Sequence, residues 1–119
     1  MKIAITANGK TLDSPMDPRF GRAPFILVVN TEGELLEVID NMTNVNAMRG
    51  AGIQAAKSLA DRGVNVLLTG HCGPNAFTAL QAAGIKVGSD QSGLVKDVIQ
   101  KFLKDGVGFA DKPNAEAHW

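Results

Sequence analysis

The chain has little cysteine, no tyrosine and no excess of charge of either sign. Cys72 is its single cysteine, so no disulfide can form within one copy of the chain. Twelve basic and twelve acidic residues give a formal net charge of +0. A neutral chain has no overall field that would hold nucleic acid or an anionic membrane. We therefore expect any anion site to be local and to depend on a few residues.

Long hydrophobic segments are also absent from the sequence. The longest apolar run, residues 25–29, is far shorter than the about 20 residues that a membrane-spanning helix needs. Met1 leads directly into a strand-like segment, without the charged start, apolar core and cleavage site of a signal peptide. These absences predict a cytoplasmic protein with no membrane partner.

The hydrophobic pattern predicts five strands and three helices in a single domain. The chain has 119 residues, of which 45% are apolar, which suits one core. Strands are predicted at residues 2–6, 25–29, 35–39, 64–69 and 85–87, and helices at 53–60, 73–84 and 94–103. Residues 106–119 show no periodicity. We therefore predict a domain at 1–105 and an irregular or mobile tail at 106–119.

The order of these elements, βββαβαβα, predicts the architecture. A hairpin followed by strands that alternate with helices gives a mixed five-stranded sheet with helices on both faces, a three-layer α/β/α domain. Ligands of such sheets bind beyond the carboxyl ends of the parallel strands. We expect the loops at 7–22, 41–49 and 70–75 to meet there.

Two of these loops contain arginines. Arg19 and Arg22 lie three residues apart in the first loop, and Arg49 precedes Gly50 beside a helix start. A guanidinium is a permanent cation with several donors, and a helix start also favours anions. Two interpretations stay open for the first loop, namely an anion site or a pairing with Asp17 that closes the end of the core. Arg49 is either a third anion contact or an exposed side chain.

The third loop brings a thiol and an imidazole together. His71 and Cys72 follow a strand, and Gly73 and Asn75 lie at the start of the next helix. A helix start and a neighbouring imidazolium lower the pKa of a thiol, which makes it a better metal ligand or nucleophile. A soft thiolate favours copper(I) and metal sulfides. The alternative is a buried cysteine that fills space beside a histidine bonded to a carbonyl.

Three spaced motifs resemble those of the dinitrogenase iron–molybdenum cofactor biosynthesis family. They are Asp17-Pro18-Arg19-Phe20-Gly21-Arg22-Ala23-Pro24-Phe25, Gly50-Ala51-Gly52-Ile53 and Gly70-His71-Cys72-Gly73-Pro74-Asn75-Ala76-Phe77. The resemblance implies a ribonuclease-H-like fold and a small protein that binds, carries or stores metal-sulfide clusters. The chain also looks like the orange-protein branch, for which the resemblance implies a molybdenum–copper sulfide cluster held without a full set of protein ligands.

The leading hypothesis is therefore a non-enzymatic carrier of an anionic molybdenum-containing sulfide cluster, of molybdenum–copper or related iron–molybdenum type. Its partners are the cluster and a cluster donor or acceptor protein. The candidate cluster-binding residues are Arg19, Arg22, Arg49, Gly50, Gly73 and Asn75, and the candidate metal contacts are His71 and Cys72.

Other functions were weighed against the same residues. A nuclease needs clustered carboxylates that begin on the first strand, and residues 3–7 contain none. A thiol redox enzyme or sensor would use Cys72 with His71 as its base. A protein-binding adaptor would use the edge of the hairpin or the tail. The last two alternatives stay open.

Overall fold

The computed structural model describes residues 1–41 and 50–114 of the chain. The strands are β1 (Ile3–Ala7), β2 (Phe25–Val29), β3 (Leu35–Asp40), β4 (Val66–Leu68) and β5 (Lys86–Gly88). The helices of this part of the chain are α1 (Ala51–Asp61), α2 (Pro74–Ala82) and α3 (Val95–Asp105). The predicted order of strands and helices is confirmed.

The five strands form one mixed sheet in the order β3-β2-β1-β4-β5. β1 pairs antiparallel with β2 and parallel with β4, and β4 pairs parallel with β5. All five residues of β1 are buried, because it is the central strand and both faces of the sheet are covered. This explains why its sequence lacks the alternation of apolar and polar residues that is typical of a half-exposed strand.

Helices cover the two faces of the sheet and form two apolar clusters. On one face α1 and α2 contribute Leu59, Phe77 and Leu80, which pack with Ile26 and Val28 of β2. On the other face Val95, Val98 and Ile99 of α3 pack with Ile3, Ile5 and Leu27. Each fully buried leucine or phenylalanine side chain stabilises the fold by about 1.5–3 kcal/mol. The three-layer α/β/α architecture is therefore confirmed.

The fourth strand is shorter than the sequence predicts. The predicted strand runs over residues 64–69, whereas β4 covers only Val66–Leu68. The Val64 backbone N–H donates to the Leu59 carbonyl at 3.1 Å, so this residue completes the end of α1 and does not enter the sheet. Asn65 instead donates to the carbonyl of Lys2 at 2.9 Å. Helix termination therefore uses the residues that the apolar pattern assigned to the strand.

The described part of the tail, residues 106–114, contains neither helix nor strand and lies beside β5. Its Ala110 N–H donates to the Val87 carbonyl at 2.8 Å, and the Phe109 ring contacts Phe102 edge to face, with centroids 6.3 Å apart. The division of the chain into 1–105 and 106–119 stays a prediction. Among residues 1–41 and 50–114, no helix combines the length and the apolar character needed to cross a membrane.

Candidate functional site

In the described part of the chain, the starts of α1, α2 and α3 lie at one edge of the sheet, where β4 and β5 have their carboxyl ends. α2 leaves the carboxyl end of β4, α3 leaves the carboxyl end of β5, and α1 runs back toward the beginning of β4. Each helix start leaves its first N–H groups without partners inside the helix and carries a partial positive charge. This edge is therefore the place where the fold concentrates hydrogen-bond donors.

The first loop occupies the start of α3. The N–H groups of Val95 and Lys96 donate to the carbonyls of Ser14 and Leu12, each at 2.9 Å. The N–H groups of Asp97 and Val98 donate to the carbonyl of Leu94, each at 3.1 Å. The donors of this helix start are consequently used within the protein.

The start of α3 has Leu94 as its N-cap residue and Asp97 in its first turn, and the starts of α1 and α2 differ from it in both respects. Their N-cap residues are Gly50 and Gly73, and neither helix has an acidic residue in its first turn. Gly50 has φ 74°, a left-handed conformation that favours glycine. Proline is the first residue of α2, so the first available donors of that helix are the N–H groups of Asn75 and Ala76. Both starts therefore present positive potential that no nearby carboxylate of the first turn cancels.

The first loop also holds the loop that precedes α2. The Pro18 carbonyl accepts from the N–H of His71, and the His71 carbonyl accepts from the N–H of Phe20 at 3.0 Å. These two bonds pair Arg19 with His71 as in a short parallel strand. The first and third predicted loops therefore meet, as the sequence indicated.

Two glycines permit this close approach. A Cβ atom on Gly70 would lie 2.8 Å from backbone atoms of Pro18, and one on Gly21 would lie 2.9 Å from the backbone of Gly52. The second contact joins the first loop to the start of α1. The first loop therefore packs directly against the loop before α2 and against the start of α1.

Asp17 is the buried anchor of the first loop and the partner of Arg19. Asp17 is only 2% exposed. Its carboxylate accepts from the backbone N–H of Arg19 at 2.9 Å and from the guanidinium Nε and Nη2 at 3.2 and 3.1 Å. The hydrogen bond with Asp17 and then its charge raise the pKa of the Arg19 guanidinium. The pairing interpretation is therefore confirmed for Arg19. Its side chain is still 47% exposed and has further N–H donors, so its role as an anion contact stays a prediction.

Sequence reasoning missed the threonines that hold Asp17 in place. The Thr6 hydroxyl donates to the Asp17 carbonyl at 2.6 Å and lies 3.0 Å from the Thr69 hydroxyl, in a fully buried position. The Asp17 N–H donates in turn to the carbonyl of Thr6 at 3.2 Å. The available signal was a threonine at the end of each of two otherwise apolar strands.

The other candidate residues are divided between this edge and the part of the chain that is not described. Arg22 is half-buried, next to the glycine that contacts α1. His71 is half-buried and Asn75 is exposed. Arg49 lies outside the described residues. The structure therefore brings the described candidates to a single edge, and their individual roles stay predictions.

Cys72 has the environment of the second interpretation, a buried cysteine that fills space. It is 0% exposed and packs in the core with Phe20 and Phe77, and its Sγ lies 3.8 Å from the carbonyl of Gly73. Burial raises the pKa of the Cys72 thiol to about 12. The expected lowering of this pKa is wrong, because removal from water opposes the thiolate more than the helix start favours it. Whether Cys72 and His71 contact a metal stays a prediction.

Comparison with known proteins assigns the chain to a class. Residues 1–105 match the sequence profile of the family described as dinitrogenase iron-molybdenum cofactor. The chain belongs to this family, and the resemblance noted from its three motifs is confirmed.

Particular relatives agree with this assignment. The apo form of the orange protein from Desulfovibrio gigas is 50% identical, with 96% of each chain covered and a TM-score of 0.91. A Thermotoga protein described as a candidate NifB protein is 33% identical, with 97% of each chain covered and a TM-score of 0.81. An uncharacterised protein from Methanocaldococcus jannaschii is 33% identical over 107 residues, which are 87% of this chain and 86% of that protein.

The close approach at Gly70 gives a test of the packed edge. We expect Gly70→Ala to lower the free energy of unfolding by about 1–3 kcal/mol, because the added methyl group meets rigid backbone. Gly108→Ala is the matched control, since its Cβ would meet nothing within 4 Å, and we expect a change within about 0.5 kcal/mol. Urea denaturation measures both. Equal stability of the two variants would show that the first loop does not pack on Gly70.

The buried thiol gives a second test. A pKa of about 12 in place of 9.0 lowers the thiolate fraction near neutral pH about a thousandfold, so native Cys72 should resist alkylation while the urea-unfolded chain reacts. The native state favours the protonated thiol. Its contribution to stability is therefore present below pH 9.0 and is lost as the pH rises toward about 12.

Denaturation of the wild type and of Cys72→Ala over this alkaline range isolates the contribution of the thiol. The stability of the wild type should fall more steeply with pH than that of the variant. Both proteins have the same lysines, and the chain has no tyrosine to complicate the comparison. Rapid alkylation of the native protein would contradict the assignment of the thiol to the core.

Proposed function

We propose that this protein binds and carries, or stores, an anionic molybdenum-containing sulfide cluster and does not act as an enzyme. The cluster is of molybdenum–copper type or of the related iron–molybdenum type. The observation that carries the proposal is the contrast between helix starts at one edge of the sheet. The carbonyls of the first loop satisfy the start of α3, which also has Asp97 in its first turn, whereas the starts of α1 and α2 have no acidic residue in the first turn.

The chemistry of these donors suits a cluster that brings its own sulfide ligands. Backbone N–H groups at a helix start bind anions without a covalent bond. Within residues 1–41 and 50–114, no three His, Cys, Asp or Glu side chains come together as a cage for a bare metal ion. A preassembled anionic cluster needs donors and positive potential more than it needs such a cage.

Cations and a soft contact complete the proposed site. Arg22 and Arg49 would contribute positive charge, and Arg19 contributes less because Asp17 neutralises part of its charge. His71 is half-buried in the loop before α2, pairs with the first loop and is the proposed soft contact. We assign Cys72 to packing in this conformation, because its thiol is buried and protonated.

The relatives support the same class of ligand. The family is described by the iron–molybdenum cofactor of dinitrogenase, and the orange protein, at 50% identity, is described in an apo form, which is the term for a protein without its ligand. Transfer of that ligand class to this chain is part of the proposal. The partner that would supply or receive the cluster also stays a prediction.

The thiol alternative loses its physical basis in this structure. A redox enzyme or sensor needs an accessible thiolate, whereas burial raises the pKa of Cys72 to about 12. The adaptor alternative has no specific observation in its favour and stays a prediction.

Anaerobic reconstitution with thiomolybdate and copper tests the proposal. The wild type should keep a visible chromophore after desalting, with metal content near one cluster per chain. Asn75→Asp should keep about fivefold less, because a carboxylate at the start of α2 favours the helix but repels an anion.

Gln81→Glu is the matched control for charge. It adds the same negative charge near the opposite end of α2, on another exposed residue, and should bind like the wild type. No chromophore on the wild type would refute cluster binding. Equal losses in both variants would refute binding at the start of α2.

A further inference from the structure

The loop that precedes α2 is held on a second side by the tail of the chain. The side chain of Asn114 accepts from the N–H of Cys72 at 2.8 Å and donates to the carbonyl of Gly70 at 2.9 Å. Its own backbone N–H donates to the Cys72 carbonyl at 3.1 Å. One tail residue therefore satisfies three backbone groups of a loop whose other side pairs with the first loop.

Asp90 completes this contact in an unusual backbone conformation. It is the one non-glycine residue in the described part of the chain with a positive φ, at 60°. Aspartate tolerates this left-handed conformation better than most residues do. Its N–H donates to the Gly70 carbonyl at 2.9 Å, and its Oδ1 accepts from the side-chain amide of Asn114 at 3.2 Å. The loop after β5 is thus shaped so that it orients the Asn114 amide.

The rest of the described tail holds Asn114 in reach of the loop. Ala110 is hydrogen-bonded to Val87 of β5, and Phe109 packs against Phe102 of α3 with the Lys86 ammonium 5.3 Å from its centroid. These contacts fix the path of the tail along β5 and α3. Asn114 is therefore placed by the fold and does not reach the loop by chance.

We infer that Asn114 is a positioning residue of the cluster site. It fixes the backbone from Gly70 to Cys72, and through that backbone it sets the orientation of His71 and of the first donors of α2. This inference rests on the proposed function. It assigns a role to the tail, which lies beyond residues 1–105 that match the family.

The physical reason is preorganisation of the donors. An anion that binds to backbone N–H groups gains less when the loop must first be ordered, because binding then costs conformational entropy. Pairing with the first loop holds the backbone of His71 from one side. The contacts of Asn114 hold the residues before and after it from the other side. The donors of α2 then need no rearrangement when the cluster arrives.

Asn114→Ala tests this role in the full chain, with two readouts. Hydrogen exchange of the Cys72 amide, measured by NMR without any cluster, should become about tenfold faster, because its acceptor is lost. After reconstitution with thiomolybdate and copper, the chromophore should dissociate about tenfold faster than from the wild type. Lys112→Ala, at an exposed position of the same tail, is the control and should change neither rate.

Asn114→Asp distinguishes the side-chain acceptor from the side-chain donor, because it keeps the first and removes the second. It keeps an acceptor for the Cys72 N–H but places a carboxylate against Asp90, so exchange should be intermediate between wild type and Asn114→Ala. Unchanged exchange in Asn114→Ala would overturn the inference. Faster exchange with an unchanged dissociation rate would also overturn it, since Asn114 would then be purely structural.

Failure of the proposed function gives a different result. If no variant and no wild type keeps a chromophore, cluster binding is refuted for this protein. In that case, faster exchange of the Cys72 amide in Asn114→Ala would still support the conclusion that Asn114 fixes the loop. Unchanged exchange would refute this conclusion in addition to cluster binding.

Discussion

Every helix begins with N–H groups that the helix itself cannot satisfy, and this requirement shapes one edge of the protein. The parallel arrangement of β1, β4 and β5 brings three such starts to the carboxyl end of the sheet. The first loop uses its carbonyls to satisfy α3. It packs against the starts of α1 and α2 through glycines and offers them no side-chain cap. The proposed site depends on this difference between the start of α3 and the starts of α1 and α2.

The same loop explains how a neutral chain can offer a positive edge. Asp17 is buried, its backbone carbonyl accepts from the Thr6 hydroxyl, and its carboxylate neutralises part of the charge of Arg19, so the ion pair anchors the loop. Peptide dipoles at the helix starts supply positive potential that does not depend on such side chains. Backbone dipoles add nothing to the net charge, and composition therefore does not reveal them. This is why a formal charge of +0 is compatible with an anion site.

Local patterns predicted the fold well because each depends on neighbours in sequence. The apolar run of β2 and the helical spacing in α3 both identify their elements, and the strand–helix alternation predicts the layers. The topology also predicted that the first and third loops meet, but the individual contacts between distant residues were not predictable. The 3.0 Å approach of Thr6 and Thr69 joins residues 63 positions apart, and the contact of Asn114 with Cys72 joins residues 42 positions apart. The burial of Cys72 depends in part on Phe20, which is also distant in the sequence. The prediction of a lowered pKa for the Cys72 thiol is wrong for the same reason. The neighbours of Cys72 in sequence favour the thiolate, whereas its neighbours in space bury the thiol and oppose the thiolate.

The central claim is that the starts of α1 and α2, which have no acidic residue in the first turn, receive an anionic metal sulfide, and that the start of α3 does not. An NMR titration of the ¹⁵N-labelled protein with tetrathiomolybdate tests this claim directly. The account predicts that the amide signals of Ala51, Gly52, Asn75 and Ala76 shift together, while those of Val95 and Lys96 stay in place. Shifts confined to the start of α3, or scattered over the surface without the first four amides, would contradict it.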